Sequence, residues 1–245
     1  MDLLRRTSIA AGTLFVVATA ASLSGNALLP AISGADRLAR MAEHPDRTAT
    51  AVLLSLVAAA CSAGIAVVLY PVLRTVDPAL AMGSVVFRTL EAVFYAVGAV
   101  CLLTVLSVAE DLGAGTAVPA QTGTAADVLV ATHRQAAAVG VLAFVAGALM
   151  YYVVLYRSRL VPRWLSVWGL AALAVMGVAA VLAVLDDTLV TEYVALALPI
   201  GLQEMVLAGW LLLKGFRAAP TGPEPAPHPE GRSPEAAAGT SGPAR

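Results

Sequence analysis

Six long apolar runs dominate the pattern of hydrophobic and polar positions along the chain. They cover approximately residues 8–30, 50–73, 84–108, 134–156, 163–185 and 190–214. A helix needs roughly 20 apolar residues to cross the ~30 Å hydrocarbon core of a bilayer, and each run reaches about that length. The pattern therefore predicts an all-α fold, a polytopic transmembrane bundle with six spans that form one domain over residues 1–217.

Composition agrees with a chain whose outer surface faces lipid. Apolar residues make up 59% of the 245 residues and charged residues 13%, with a mean hydropathy of +0.83. A soluble domain carries about 25% charged residues, because water must solvate its surface. We therefore expect the lipid bilayer as a partner. No basic patch is interleaved with aromatic residues, so we expect no nucleic-acid partner.

The sequence offers little for metal or cofactor binding. Cys61 and Cys101 lie inside apolar runs, without CxxC or Cys/His spacing. His133 opens the fourth run beside Arg134, and we interpret it as interfacial because no second well-placed histidine accompanies it. We therefore expect no metal site and no cofactor.

The basic residues predict the orientation of the bundle. With the first run starting inside, the inner short segments hold Arg5, Arg6, Arg74, Arg157, Arg159, Arg163, Lys214 and Arg217, and the outer ones hold Arg37, Arg40, Arg47 and Arg134. Cytoplasmic loops of membrane proteins are enriched in Lys and Arg, so we predict that both termini are cytoplasmic. Fourteen arginines against one lysine, with abundant Ala and Val, indicate a GC-rich bacterial genome and hence a bacterial cytoplasmic membrane.

The two ends of the chain lead to separate expectations. Arg5-Arg6, a short apolar stretch and Ala18-Thr19-Ala20 imitate a signal peptide, so cleavage of the first run is an alternative. The apolar run continues to Leu29, which favours a retained span. At the other end, repeated prolines predict a disordered, cytoplasmic Pro/Gly/Ala-rich tail over residues 218–245.

Two of the runs contain charged residues away from their ends, and such a residue costs ~2.5–3.5 kcal/mol at the centre of a span. In the third run Arg88, Glu91 and Tyr95 share one helix face, because they stand three and four residues apart. The sixth run carries Gln203 and Glu204. At 1.5 Å per residue, Glu91 lies ~10 Å and Glu204 ~15 Å from the cytoplasmic ends of their helices. The two carboxylates are thus expected at similar depths, with Arg88 within reach of either.

These five residues allow two interpretations. As an ion-pair staple, Arg88 would hold Glu91 along its own helix and Glu204 across to the sixth helix. As a proton-titrating or ligand-binding site, the same residues would line a cytoplasm-facing pocket for a small molecule or an ion. One positive charge against two negative ones leaves a surplus carboxylate, whereas a structural ion pair needs only one carboxylate.

A proline in the sixth run predicts an irregular helix. Pro199 cannot donate a hydrogen bond to the carbonyl of Ala195, so we expect a kink there, with Gly201 as a second weak point. Broken helices in transporters often mark binding sites near the midplane. A kink that serves packing alone is the alternative.

Six aromatic residues stand mostly near the ends of the runs. They are Tyr151, Tyr152, Tyr156, Trp164, Trp168 and Trp210. Because Trp and Tyr concentrate at both membrane–water interfaces, we interpret these residues as an interfacial belt.

Three motifs carry a resemblance to a known family. They are Arg88-Thr-Leu-Glu91, Tyr156-Arg-Ser-Arg-Leu-Val-Pro162-Arg, and Pro199-Ile-Gly-Leu-Gln-Glu204 running into Gly209-Trp210-Leu-Leu-Leu-Lys214-Gly215-Phe216. With these motifs the chain resembles the bacterial family of domain of unknown function 4386 over roughly residues 5–217. The loop 109–132 is longer than the resemblance leads us to expect. The resemblance implies a multi-span membrane protein and no particular activity.

Three classes of function remain open. The first is a small transporter or ligand-binding membrane protein that uses the charged residues as its site. The second is a structural or accessory subunit in which the charges only organise the bundle. The third, a membrane enzyme acting on lipids, is the least favoured. The sequence has no HExxH motif, no paired intramembrane aspartates, and no Ser/Lys or Ser/His pair placed together within the runs.

Overall fold

The computed structural model describes residues 3–34, 36–114, 122–186 and 194–217, and these residues form seven helices. The helices are α1 (Leu3–Leu28), α2 (Arg37–Glu43), α3 (Pro45–Leu73), α4 (Pro78–Gly113), α5 (Thr122–Ser158), α6 (Arg163–Leu185) and α7 (Val194–Leu213). All except the short α2 are long and apolar enough to cross a membrane. The predicted all-α bundle with six spans is therefore confirmed. The predicted disordered tail, residues 218–245, lies outside the described residues.

Several helices are longer than the apolar runs that predicted them. Helix α4 begins at Pro78 rather than near residue 84, because the side chain of Asp77 accepts a hydrogen bond from the backbone nitrogen of Leu80 at 3.0 Å and caps the helix. Helix α5 begins at Thr122 rather than near residue 134. His133 therefore lies well inside α5, with its Nδ1 atom 3.1 Å from the carbonyl oxygen of Gly98 on α4. His133 therefore does not open its helix, since polar residues extend α5 beyond the apolar run, and its interfacial position stays a prediction.

The six spans form a closed ring. Each span packs against the next along the chain, in the order α1, α3, α4, α5, α6 and α7, and α7 packs against α1 again. The main apolar core draws on every span and includes Phe15, Ile65, Ala81, Leu155, Leu165 and Leu207. Helix α2 lies against α4. The ring therefore encloses a common interior to which all six spans contribute side chains.

At one end of the ring, hydrogen bonds hold the start of α1 to α7 and the segment after α7 to the connection between α5 and α6. The Nη2 atom of Arg5 donates to the carbonyl oxygen of Leu212 at 2.9 Å, near the end of α7. The backbone nitrogen of Arg217 donates to the carbonyl oxygen of Leu160, between α5 and α6, at 2.9 Å. We call this the basic end, because the eight basic residues of the predicted cytoplasmic side belong to the segments that meet there. The first and last described residues thus lie on the same side of the bundle, and the assignment of that side to the cytoplasm stays a prediction.

The bond between Arg5 and Leu212 gives a test of how the ring is closed. We expect Arg5→Ala to lower the free energy of unfolding by about 1.5 kcal/mol, the lower end for a hydrogen bond from a charged group. Arg6→Ala is the matched control, because Arg6 is exposed on the same turn of α1. Thermal unfolding of the purified protein in detergent measures both variants. Equal unfolding temperatures for the two variants would show that Arg5 does not hold α7.

Candidate functional site

Arg88 lies inside the ring as part of a buried ion pair. Its side chain on α4 is 2% exposed, and its Nη1 atom lies 3.1 Å from Oε2 of Glu91, one turn further along the same helix. The two side chains therefore form an ion pair. The guanidinium carbon Cζ also lies 4.5 Å from the centre of the Phe144 ring on α5, a cation–π contact. The predicted pairing of Arg88 with Glu91 along one helix is therefore present.

Ser62 on α3 completes the surroundings of this ion pair. Its Oγ atom lies 2.8 Å from each carboxylate oxygen of Glu91, to which it donates. Its carbonyl oxygen accepts a bond of 3.4 Å from Nε of Arg88. The pair thus joins α3 to α4 as well as lying along α4. Sequence reasoning missed Ser62, because a lone serine in an apolar run does not reveal which helix it faces.

A glycine on α5 makes room for Arg88. A Cβ atom added at Gly147 would lie 3.0 Å from Cγ of Arg88 and 3.1 Å from its backbone nitrogen. Helix α5 can therefore approach α4 closely only because position 147 has no side chain. This approach brings the ring of Phe144, almost one turn away on α5, against the guanidinium.

Glu204 on α7 has different partners. Its Oε1 atom accepts a hydrogen bond of 3.4 Å from the hydroxyl of Tyr151 on α5. Within the described part of the chain Glu204 forms no ion pair, so the predicted bridge from Arg88 to Glu204 does not form. Glu91 is thus the carboxylate that Arg88 neutralises, and Glu204 is the surplus one.

Gln203, next to Glu204, links three helices. Its side chain is fully buried, and its Nε2 atom donates to the carbonyl oxygen of Leu165 on α6 at 3.0 Å. Its Oε1 atom accepts a short hydrogen bond from the hydroxyl of Tyr152 on α5. Both hydrogen-bonding groups of the amide are therefore used within the bundle, which fixes α7 against α5 and α6.

The predicted interfacial belt is wrong for two of its six members. Tyr151 and Tyr152 are 0% exposed, and their rings lie in contact with centroids 4.5 Å apart. Their hydroxyls bond to Glu204 and Gln203, which is the arrangement expected of a buried tyrosine.

The remaining predicted site residues form no hydrogen bond with the ion pair in the described part of the chain. Tyr95 is half-buried and packs against α5, where a Cβ added at Gly140 would lie 3.7 Å from its ring. No hydrogen bond joins Tyr95 to Arg88 or Glu91 in the described residues. Helix α7 runs through Pro199 and Gly201 as one element, and the kink at Pro199 stays a prediction.

Glu204 lies on the inner face of α7. Its neighbours one turn away on the same helix face, Ile200, Leu207 and Ala208, are all buried. Glu204 itself is partly exposed, although it lies in the middle of this buried face. The exposed stripe of α7, which contains Leu202 and Val206, lies on the other side of the helix. Glu204 therefore lies on the face of α7 that packs into the bundle, and not on its exposed stripe.

A separate cavity of about 380 Å³ lies near the end of the ring away from the basic end. It is lined by Ile32, Ser33, Gly34, Arg37, Asp127, Val128, Val130, Ala131 and Arg134. Arg37 forms an ion pair with Asp127 at its edge. None of its lining residues belongs to the predicted cluster. Among the described residues no three His, Cys, Asp or Glu side chains come together as a metal site would require.

The ion pair of Arg88 and Glu91 predicts a specific pattern of stability. We expect Arg88→Met to lower the free energy of unfolding by roughly 3–5 kcal/mol, as for any buried pair that loses one partner. The double variant Arg88→Met/Glu91→Gln should recover most of this loss, because no uncompensated charge remains. Thr89→Ala is the matched control, since the exposed Thr89 side chain bonds only to the carbonyl of Val85 on its own helix. Unfolding in detergent measures all three, and a double variant as unstable as Arg88→Met would contradict the paired arrangement.

Comparison with known proteins gives one match. Residues 10–215 match the family described as domain of unknown function (DUF4386), which covers nearly all of the six-span bundle. No curated protein and no solved structure matches the chain. The matched range contains Arg88, Glu91, Gln203 and Glu204. The chain is therefore a member of the DUF4386 family.

Proposed function

We propose that this protein is a small transporter or ligand-binding membrane protein in which Glu204 binds either a proton or a cationic ligand, in competition. The observation that carries the proposal is that Glu204, partly exposed on the inner face of α7, forms no ion pair within the described part of the chain. An isolated carboxylate away from water is costly, so it takes up a proton or attracts a cation. Tyr151 supplies one hydrogen bond and no charge.

The charges inside the ring divide into two parts with different roles. Arg88 and Glu91 neutralise each other and are both buried, at 2% and 5% exposure. Their bonds with Ser62 serve to hold α3 and α4 together. The pair adds no net charge to the interior. Glu204 is then the group whose charge a ligand has to balance.

A structural or accessory subunit is the second candidate function. It is favoured by Gln203, whose bonds to Leu165 and Tyr152 tie three helices together without any ligand. A lipid-acting enzyme that uses two carboxylates is less well supported. It needs two free carboxyl groups on one cavity, and Glu91 is already engaged by Arg88 and Ser62.

The membrane in which the protein resides is a further part of the proposal. Six apolar helices and membership of DUF4386 agree with a membrane protein. We further propose the bacterial cytoplasmic membrane, with the basic end in the cytoplasm, because basic residues concentrate at that end.

Titration of Glu204 tests the proposed function. Infrared difference spectra of the protein in lipid nanodiscs should show a carboxylic-acid C=O band that grows as the pH falls. We expect Glu204→Gln to remove this band, which corresponds to one proton per chain. The control is the double variant Arg88→Met/Glu91→Gln, which removes the neutral pair and should leave the band in place. Single replacement of Glu91 is avoided, because it would free Arg88 to pair with Glu204.

Two results would overturn the proposal. One is a wild-type spectrum without a titrating buried carboxyl band. The other is a band that survives Glu204→Gln and disappears in the double variant, which would assign the titrating group to Glu91.

A further inference from the structure

Helices α1 and α7, which close the ring, are in direct backbone contact near the basic end. A Cβ atom added at Gly12 of α1 would lie 3.0 Å from the carbonyl oxygen of Ala208 and 2.8 Å from Cγ of Leu212. Arg5 bonds to the carbonyl of Leu212 on the same side. At this level nothing can pass between the two helices.

Farther from the basic end no atom of α1 lies close to Gly201 of α7. A Cβ added at Gly201, about two turns from Ala208 on α7, would meet no atom within 4 Å. On α1 the residues four and eleven positions after Gly12 lie on the face that contacts α7 at Gly12. These residues are Val16 and Leu23, and they are 42% and 65% exposed. We call the space between Val16 and Leu23 on α1 and Gly201 and Glu204 on α7 the α1–α7 cleft.

Among the described residues of α1 and α7, Glu204 is the one charged group at the inner part of the α1–α7 cleft, and the ion pair of Arg88 and Glu91 on α4 also acts on it electrostatically. Glu204 stands three residues after Gly201 and therefore lies almost on the same face of α7. Helix α1 has no charged residue after Arg6, and Glu204 is the one charged residue in the sequence of α7. The walls of the cleft are apolar, and its inner limit is an acidic group beside the hydroxyl of Tyr151.

This combination selects a class of ligand. A small hydrated cation would lose its water among apolar walls, which is costly. A lipophilic organic cation already dissolves in the bilayer, and its apolar groups would contact Val16, Leu23 and the lipid chains. Its positive charge would lie at Glu204, near the ring of Tyr151, which can attract a cation through its face.

We propose that a lipophilic organic cation enters the α1–α7 cleft sideways from the bilayer and binds with its charge at Glu204. This inference rests on the proposed function, because the ligand replaces the proton of Glu204. It adds the chemical class of the ligand and its route, which the proposed function leaves open.

Binding of tritiated tetraphenylphosphonium to the purified protein in nonionic detergent tests the proposal. We expect saturable binding that weakens as the pH falls and that tetramethylammonium, a cation without large apolar groups, does not compete away. Glu204→Gln should abolish it. Gly201→Phe should fill the cleft and weaken binding at least tenfold, which is about 1.4 kcal/mol.

Gly209→Phe is the matched control for the filled cleft. Gly209 also has no atom within 4 Å of an added Cβ, but it lies on the outer stripe of α7 with Leu202 and Val206. This variant should therefore bind tetraphenylphosphonium as the wild type does. Val16→Phe on the facing wall of α1 provides a second, independent block if Gly201→Phe fails to fold.

The outcomes separate this inference from the proposed function. Titration of Glu204 in the infrared spectrum without tetraphenylphosphonium binding would overturn the lipophilic-cation inference alone. Unchanged binding in Gly201→Phe and Val16→Phe would overturn the route through the cleft. The absence of a titrating Glu204 would overturn both proposals. Binding lost in Gly201→Phe and kept in Gly209→Phe, with Glu204 still titrating, supports both.

Discussion

The bilayer offers no hydrogen bonds, so a charged or amide side chain that this protein places within its spans needs a partner inside the ring. This constraint orders the interior. Arg88 is satisfied by its own helix, by α3 and by the ring of Phe144 on α5. Gln203 is satisfied by α5 and α6. Because each polar group binds a particular neighbour, these contacts select the order of the helices more sharply than apolar packing between similar Ala- and Val-rich surfaces could.

The same constraint separates structural from functional charge. A buried arginine with one carboxylate is neutral, and its remaining donors find a backbone carbonyl and an aromatic face. Such a pair organises helices and has no need of a ligand. Glu204 differs because its one described partner is the uncharged hydroxyl of Tyr151. A protein that needed Glu204 for packing alone could use glutamine at 204, as it does at 203, where the amide is fully bonded.

Sequence reasoning succeeded for properties that depend on residues close together in the chain. Span number follows from run length, and the contact of Arg88 with Glu91 follows from their spacing on one helix. It failed where a partner comes from another helix. Ser62 looks like any serine in an apolar run, and Tyr151 resembles an interfacial tyrosine until α7 is placed beside it. The helix ends were also missed, because caps such as Asp77 are polar and lie outside the apolar pattern.

The contact between α1 and α7 differs from the other helix–helix contacts of the ring because α1 and α7 are not consecutive in the chain. The remaining neighbouring spans are consecutive in the chain, whereas α1 and α7 must be held by side-chain and backbone contacts. In the described residues these contacts include the close approach at Gly12 and the hydrogen bond of Arg5, both near the basic end. Separating the two helices at the far end therefore breaks few contacts and leaves the polar pairs of α3, α4, α5 and α6 intact. A ring joined in this way can admit a ligand from the membrane between α1 and α7 without loosening the rest of its core.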